Sequence, residues 1–384
     1  MLALGRALAA RGHDVVLETW SRWSADAERE GLRFAAAPEY PVFPTEGHAL
    51  KPYAAVLRAT GPTRALVAAQ RPDVVVADIL TLAPALAAEL EGVPWATLIP
   101  HVDPRGAPGF PPYSVGARLP RTWAGARTWT ALDPLLQHGL RLGRAELNET
   151  RRRLGLGPLH HVHGGISRRL ALVATLPQLE YPRPAPEPGT HVVGPLQWEP
   201  PADDVALPAG DPASPLVLVA PSTAQDAGQV LLRAALEGLA DLPVRVLVTT
   251  NRRALPSAFR VPPNAHLVDW VSYARTMPCC DLVICHAGHG TLVRALTAGC
   301  VVVACPAAGD MYENAARVAW AGAGVRLPRR LTTPRGVRLA VQRALAEPRL
   351  GERAREMAAW AATHDAAGRA AELVERLAAG MPGR

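Results

Sequence analysis

Short apolar, β-branched runs recur along this chain with helical patterns between them, and no other feature restricts its fold as tightly. The runs are Val15–Leu17, Val74–Ala77, Trp95–Ile99, Leu170–Ala174, Leu216–Ala220, Val244–Val248, Leu282–Cys285 and Val301–Ala304. Most segments between them carry Ala and Leu at helical spacing. A strand that is apolar on both faces must be covered on both, and a parallel sheet flanked by helices does this. The expected class is therefore α/β. With 384 residues, 49% of them hydrophobic, the chain can bury two cores of ordinary domain size.

The sharpest change in composition lies between Tyr181 and Pro215, through PRPAPEPGT, VVGPLQWEPP and PAGDPASP. That much Pro and Gly excludes helix and central strand. It sets an N-terminal lobe over 1–195, a linker over 196–214 and a C-terminal lobe over 215–384, the last including packing helices between Thr333 and Leu377. Each lobe has its own β/α alternation, so two Rossmann-like lobes with parallel sheets are expected to face each other across an interlobe cleft. A second Pro- and Gly-rich stretch, from Pro100 to Pro120, follows an apolar run. That puts it at the carboxyl edge of the first sheet, where substrate loops belong.

The formal net charge is +7, yet no basic run exceeds Arg151-Arg152-Arg153 and aromatic residues are 5% of the chain. Dispersed charge with few stacking rings argues against nucleic acid and favours a small anionic substrate. The cysteines, Cys279, Cys280, Cys285, Cys300 and Cys305, are odd in number and form no CxxC pair. Buried, reduced thiols in a cytoplasmic protein fit better than disulfides or zinc. No uncharged apolar run approaches the ~18 residues of a membrane span. The opening LALGRALAA lacks a basic leader and is read as an amphipathic helix stopped by Gly12. His160, His161 and His163 have no Cys or carboxylate beside them and are read as a polar loop, so no metal is expected.

The chemistry concentrates between 286 and 314, HAGHGTLVRALTAGCVVVACPAAGDMYEN. A strand ends at His286, a glycine turn follows, and a helix is expected over Leu292–Thr297. Free N–H groups and the positive end of a helix dipole suit a phosphate. Gly288 and Gly290 would let the backbone approach it, with Thr291 adding a hydroxyl as phosphate donor or cap, and His286 an imidazole. The same pattern also serves as a plain tight turn. After the next strand, Asp310 sits at the neighbouring carboxyl edge, able to accept hydrogen bonds from sugar hydroxyls or to cap the helix that follows.

The pattern H-x-G-x-G-T, a strand ending in Pro306, then D-x-x-x-N-A-x-R-V resembles the donor-sugar signature of the family 1 glycosyltransferases, in particular bacterial natural-product and macrolide types. Asp269-Trp270-Val271-Ser272 resembles that family's base-contacting loop, Val193-Gly194-Pro195-Leu196 its interdomain linker, and Ala220-Pro221-Ser222-Thr223 its first turn near the phosphates. The resemblance spans essentially the whole chain. It implies a GT-B fold and an inverting, metal-independent transfer from a nucleotide-diphosphate sugar, a co-substrate rather than a cofactor, to a small-molecule aglycone. By position, Ser222, Thr223, His286, Gly288, Gly290 and Thr291 would hold the diphosphate. Trp270 and Val271 would lie by the base, and Asp310 and Met311 by the sugar. The chain would act as a monomer or homodimer.

Four departures from the family pattern stand out. Met311 replaces a frequent Gln, which suits a deoxygenated sugar. Arg294 replaces a ribose-binding Glu, which favours dTDP over UDP, since a thymidine nucleotide lacks the ribose 2′-hydroxyl. Tyr273 replaces another Gln. The first strand and its G-H-x-x-P turn, whose His is the family's general base, are not in the sequence. His13 lies after the helix and is no substitute. Asp78 matches the Asp that orients that His, and His101 is a candidate stand-in base. A missing central strand would leave buried backbone groups unpaired, at about 1–3 kcal/mol each. The expectation is thus a start upstream of Met1, by about 20 residues for one strand and its turn. A catalytically impaired homologue or nucleotide-sugar-binding partner is the alternative. The loops Phe34–Tyr53 and Pro100–Trp129 carry Phe43, Tyr53, Phe110, Tyr113, Trp123 and Trp129, pointing to a mostly apolar acceptor.

Overall fold

Two stacks of parallel strands follow from the apolar runs. The computed structural model describes residues 1–39, 52–185, 187–222, 228–253 and 260–380. In the C-terminal half the strands are β7 (Leu216–Ala220), β8 (Arg245–Thr249), β9 (Ala265–Val268), β10 (Leu282–Cys285), β11 (Val301–Ala304) and β12 (Gly324–Arg326). They form one six-stranded sheet in the order β12-β11-β10-β7-β8-β9, parallel throughout. Helices α6 (Val230–Leu239), α7 (Tyr273–Thr276), α8 (His289–Thr297), α9 (Met311–Ala321), α10 (Pro334–Ala346) and α11 (Pro348–Ala362) belong to this half. Leu218, Val283 and Val302 face one core with α8, while Val217, Ile284 and Val303 face the other with α6 and α10. These strands are buried on both faces, as their unbroken apolar runs require.

The N-terminal half holds β1 (Val16–Thr19), β2 (Arg33–Ala36), β3 (Val75–Asp78), β4 (Trp95–Ile99), β5 (Ala171–Val173) and β6 (Thr190–Val192), with α1 (Leu2–Ala10), α2 (Ser24–Arg29), α3 (Pro52–Gln70), α4 (Ala83–Leu90) and α5 (Trp123–Arg153). Its strands fall into two pieces. β1 pairs with β2, and β3-β4-β5-β6 form a separate parallel sheet.

Three expectations need adjusting. The helix expected from Leu292 begins at His289, so α8 takes His289, Gly290 and Thr291 into its first turn. The C-terminal helices number three, and the last, α12 (Ala366–Ala378), leaves the C-terminal lobe: Ala370, Leu373 and Leu377 pack with Leu4, Leu98 and Leu172 of the N-terminal core. Trp123 and Trp129 belong to α5 rather than to a loop, and Trp123 is exposed under the Arg127 guanidinium. Residues 40–51 of the first acceptor loop, Phe43 among them, lie outside the described residues.

The 193–214 segment straps both halves. Trp198 Nε1 donates to Glu30 in the N-terminal lobe at 2.8 Å, and Gln197 Nε2 donates to Thr297 at 2.9 Å in the C-terminal lobe. Glu199 accepts from the N–H groups of Tyr273 and Ala274, each at 3.1 Å, capping α7 together with Ser272. The Pro- and Gly-rich loop after β4 also crosses to the C-terminal lobe. Gly116, at φ 71°, lies so close to Tyr312 that a Cβ there would come within 2.7 Å of the Tyr312 side chain. Its carbonyl accepts from Arg326.

Candidate active site

Numbered by their own lobe, the C-terminal strands run 3-2-1-4-5-6, with β7 first and β10 fourth. These two are neighbours in the sheet, and the connections diverge on either side of them. Such a switch point opens a crevice at the carboxyl edge. Cys285 lies opposite Ala220, so both strands end level and hand their turns to one place. There the Ser222 N–H donates to His286 Nδ1 at 2.9 Å. An N–H can only donate, so Nδ1 is the acceptor nitrogen and a neutral ring carries its proton on Nε2. His286 is buried, which limits its rotation.

The residue that makes the turn possible is not one of its glycines. Ala287 adopts φ 58°, and its side chain is fully buried. Gly288 is the N-cap of α8 and contributes no capping side chain. Leu292 N–H is the first to bond back, to the Gly288 carbonyl. The amides of His289, Gly290 and Thr291 therefore belong to the unpaired first turn of a helix, at its positive end. A Cβ added at Gly288 or Gly290 would meet nothing within 4 Å, so the space beside both is open. Thr291 is the third helical residue, which removes the cap role. Thr223 lies outside the described residues.

Asn314, on α9, ties this turn to the donor loop and was not singled out from sequence. Its Nδ2 donates to the Ala287 carbonyl at 3.0 Å and to Asp310 Oδ2 at 3.3 Å, and its Oδ1 lies 3.4 Å from His289 Nδ1. The spacing D-x-x-x-N was the available signal: four residues on a helix place both side chains on one face. Asp310 precedes α9 without a capping side-chain bond, so its carboxylate is turned to Asn314 rather than to the helix. Met311 packs against the C-terminal core.

Trp270 and Val271 follow β9 on the far side of the crevice. Val271 is buried, and the Arg252 guanidinium sits 4.9 Å from the Trp270 ring centroid. Tyr273 donates to Asn251 Oδ1 at 3.5 Å, and Asn251 Nδ2 donates to the Pro221 carbonyl, linking the base loop to the first turn. Arg294 pairs with Glu199 at 3.1 Å and donates to the Trp198 carbonyl.

The N-terminal lobe faces this crevice with His101 and Tyr113. His101 Nδ1 lies 2.7 Å from the Val102 carbonyl, which can only accept, so Nδ1 carries the proton and Nε2 is left with its lone pair. Tyr113 Oη is 3.3 Å from the same Nδ1. Burial, with a smaller contribution from the nearby His101, pushes His289 down to about 4. Asp78 ends β3, accepts from the Leu80 N–H at 2.8 Å, and is raised by burial although the Met1 amine and His101 oppose the shift.

A buried charge relay holds the two lobes together here. Arg317 of α9 pairs with Glu313 at 2.7 Å and Glu180 at 3.5 Å, donates to the Leu179 carbonyl at 3.1 Å, and lies 3.6 Å from the Tyr181 ring centroid. Glu180 in turn accepts from the Asp103 N–H at 2.7 Å. Burial works to raise Asp103, but Arg105 and Arg183 outweigh it and hold its carboxyl below the usual range. Among the described residues no group of His, Cys, Asp and Glu could hold a metal ion, and no helix is long and apolar enough to cross a membrane.

Parallel sheets in two Rossmann-like lobes, with a crevice at a switch point, make up the GT-B fold. Residues 233–379 match the erythromycin biosynthesis protein CIII-like C-terminal domain. The chain is 27% identical to 4′-demethylrebeccamycin synthase of Lentzea aerocolonigenes, over 98% of this chain and 96% of the relative. The solved glycosyltransferase of kitacinnamycin superposes with a TM-score of 0.75 at 23% identity, covering 99% of this chain and 95% of that one. The spinosyn rhamnosyltransferase SpnG complexed with thymidine diphosphate gives 0.67 at 21%, covering 98% and 95%. The chain is thus a homologue of glycosyltransferases of antibiotic pathways.

Proposed function

We propose that this glycosyltransferase moves a hexose or deoxyhexose from a nucleoside-diphosphate sugar, dTDP in preference to UDP, to a hydroxyl of a small, mostly apolar acceptor, with inversion and without a metal requirement. The observation that carries this is the Ser222–His286 bond at the switch point. It makes Nδ1 the acceptor and Nε2 the N–H donor of a neutral His286, at the strand end that leads into the first turn of α8. Negative charge grows on a departing diphosphate, and fixed N–H donors at that position stabilise it most as the bond breaks.

The acceptor oxygen attacks the anomeric carbon, the bond from that carbon to the diphosphate oxygen breaks with its electron pair, and the acceptor's proton passes to a base. His101 Nε2 fits the base, and His101 lies near enough to Asp78 to act on that carboxylate. Asp310 and Asn314 meet the sugar hydroxyls. Two observations support the donor preference: the Arg294 position is committed to Glu199, and thymidine diphosphate occupies one structural relative. A nucleotide-sugar-binding partner without transfer activity is the second reading, favoured by the split N-terminal sheet.

Thermal shift with dTDP and UDP, followed by transfer assays on a panel of apolar aglycones with and without EDTA, separates these. Transfer that persists in EDTA and inverts the anomeric centre supports the enzyme. Donor binding with no transfer to any aglycone supports the partner. Stabilisation by UDP alone contradicts the dTDP preference.

A further inference from the structure

Helix α5 has two unlike ends. Its fully buried residues, Leu147, Thr150 and Arg151, all lie in the last two turns, where Arg151 pairs with Glu89 at 2.6 Å. The turns before them present an apolar stripe to solvent. Leu132, Leu135 and Leu142 are exposed, Leu135 at 72%, and their spacing of three and seven residues puts them on one face of the helix. Gly139 lies between Leu135 and Leu142 with open space beside it. Trp123, 73% exposed, stands at the helix start, and Val115 is exposed just ahead of it. Arginines border this stripe. From Val115 to Arg153 the chain carries eight arginines against Asp133, Glu146 and Glu149, a net +5 out of a formal +7 for the whole protein. Glu149 is paired with Arg152 and Arg153, Asp133 accepts from Gln137 at 3.5 Å, and Glu146 closes the stripe at its far end. Among the described residues, Arg118, Arg121, Arg127 and Arg141 are exposed and form no ion pair. Arg127 lies over the Trp123 ring, 4.9 Å from its centroid.

We propose that this face of α5 docks on an anionic lipid bilayer, lying in the plane of the headgroups rather than crossing it. Charge complementarity selects that occupant. Free guanidinium groups beside an apolar stripe match phosphate headgroups above acyl chains, and the long arginine stems let the charges stay at the phosphates while the leucines go deeper. Trp123 supplies an amphipathic ring of the kind that settles at headgroup level. A protein interface gathers its apolar anchors in one charge-poor centre. Here they are strung along ~29 Å of helix from Trp123 to Leu142, at 1.5 Å per residue, with exposed arginines at both ends. The other side of α5 rests on the Pro- and Gly-rich loop after β4. A Cβ at Gly109 would come within 3.6 Å of Ala126, and one at Gly106 within 3.8 Å of Leu136. Docking therefore holds the acceptor-side loop about one helix diameter from the bilayer, where an apolar acceptor would accumulate. This inference concerns a surface of the N-terminal lobe and does not depend on the nucleotide reading.

Co-sedimentation of the full chain with lipid vesicles, in the absence of nucleotide and aglycone, tests it. Vesicles of equal parts phosphatidylglycerol and phosphatidylcholine are expected to bind the protein at least about twentyfold more tightly than phosphatidylcholine alone. Each arginine near the surface is worth about fivefold, so Arg127→Gln combined with Arg141→Gln is expected to weaken binding about twenty-fivefold. Leu135→Glu, which puts a charge where the leucine enters the bilayer, is expected to weaken it about tenfold or more. All three side chains are exposed, so the variants should melt with the parent. If Leu135→Glu does not fold, the arginine pair decides alone. No binding to the mixed vesicles, equal binding to both kinds of vesicle, or binding that these variants leave unchanged overturns the proposal. A dimer that Leu135→Glu dissolves in sedimentation velocity, with no vesicle binding, assigns the stripe to a second copy of the chain and overturns it as well.

Discussion

The Ser222 amide donates to His286 Nδ1 at 2.9 Å, joining the ends of β7 and β10 across the switch point of the C-terminal sheet. This bond converts a histidine at a strand end into a fixed N–H donor. Replacing His286 by Ala removes the donor. Stabilisation by ligand follows RT ln(1 + [L]/Kd), about 2.7 kcal/mol at a hundred times Kd. The parent protein is expected to gain that much from dTDP, and His286→Ala to gain almost none, in a thermal-shift titration. Undiminished stabilisation would remove His286 from the phosphate site.

Asn314 donates to both the Ala287 carbonyl and Asp310, so it sets the distance between the phosphate turn and the sugar loop. Asn314→Asp keeps the shape but turns a donor into a charged acceptor facing a carbonyl and a carboxylate. Its cost is expected at about 1–3 kcal/mol in stability, and a larger loss in kcat/KM for the donor sugar than for the acceptor. Steady-state kinetics with each substrate varied in turn would show the split. An equal loss for both substrates would indicate general unfolding instead.

Arg317 is buried between Glu313 and Glu180 and thus spans the lobes. Arg317→Met leaves two carboxylates without their cation. A broken buried pair costs about 3–5 kcal/mol, so the melting temperature should fall sharply. Adding Glu313→Gln should recover part of the loss, because one of the stranded charges is then gone. A double variant as unstable as the sum of the single ones would show that the pair is not coupled.

Asp78 gives a pH-dependent prediction. Burial raises its pKa in the folded protein above the ordinary carboxylate value. The folded state therefore holds the proton more tightly than the unfolded chain. Its contribution is fully present below the unfolded pKa and is lost as pH rises through the folded one. Asp78→Asn removes that loss and can still accept from Leu80. The variant should melt above the parent at pH 8, with the gain shrinking towards pH 4. A gain independent of pH would show that ionisation of Asp78 is not the cause.

The sequence patterns revealed the interior of each sheet more fully than its borders. Trp95–Ile99, Leu216–Ala220, Leu282–Cys285 and Val301–Ala304 are strands over the same bounds as their apolar runs. β2, β6, β9 and β12 were not anticipated, and each stands at the end of its sheet. An edge strand is buried on fewer sides, so it can be short and mixed, like Arg33–Ala36 or Thr190–Val192, and carries no continuous apolar signal. At the site, His286, Gly288 and Gly290 announced themselves through turn chemistry. Ala287 did not, because nothing in an alanine marks a positive φ held by burial and by Asn314. Glu199 was equally hidden, and so was the interlobe half of Arg317's pairing. Arg294, which pairs with Glu199, and Glu180, which pairs with Arg317, lie 95 and 137 residues away, beyond the reach of any local pattern.

The account turns on where a diphosphate sits. A crystal structure with dTDP bound tests it most directly. The expected result places phosphate oxygens within hydrogen-bonding distance of the His286 Nε2–H and the amides of 289–291, with the base near Trp270. Nucleotide bound elsewhere, with those amides facing only solvent, would contradict it.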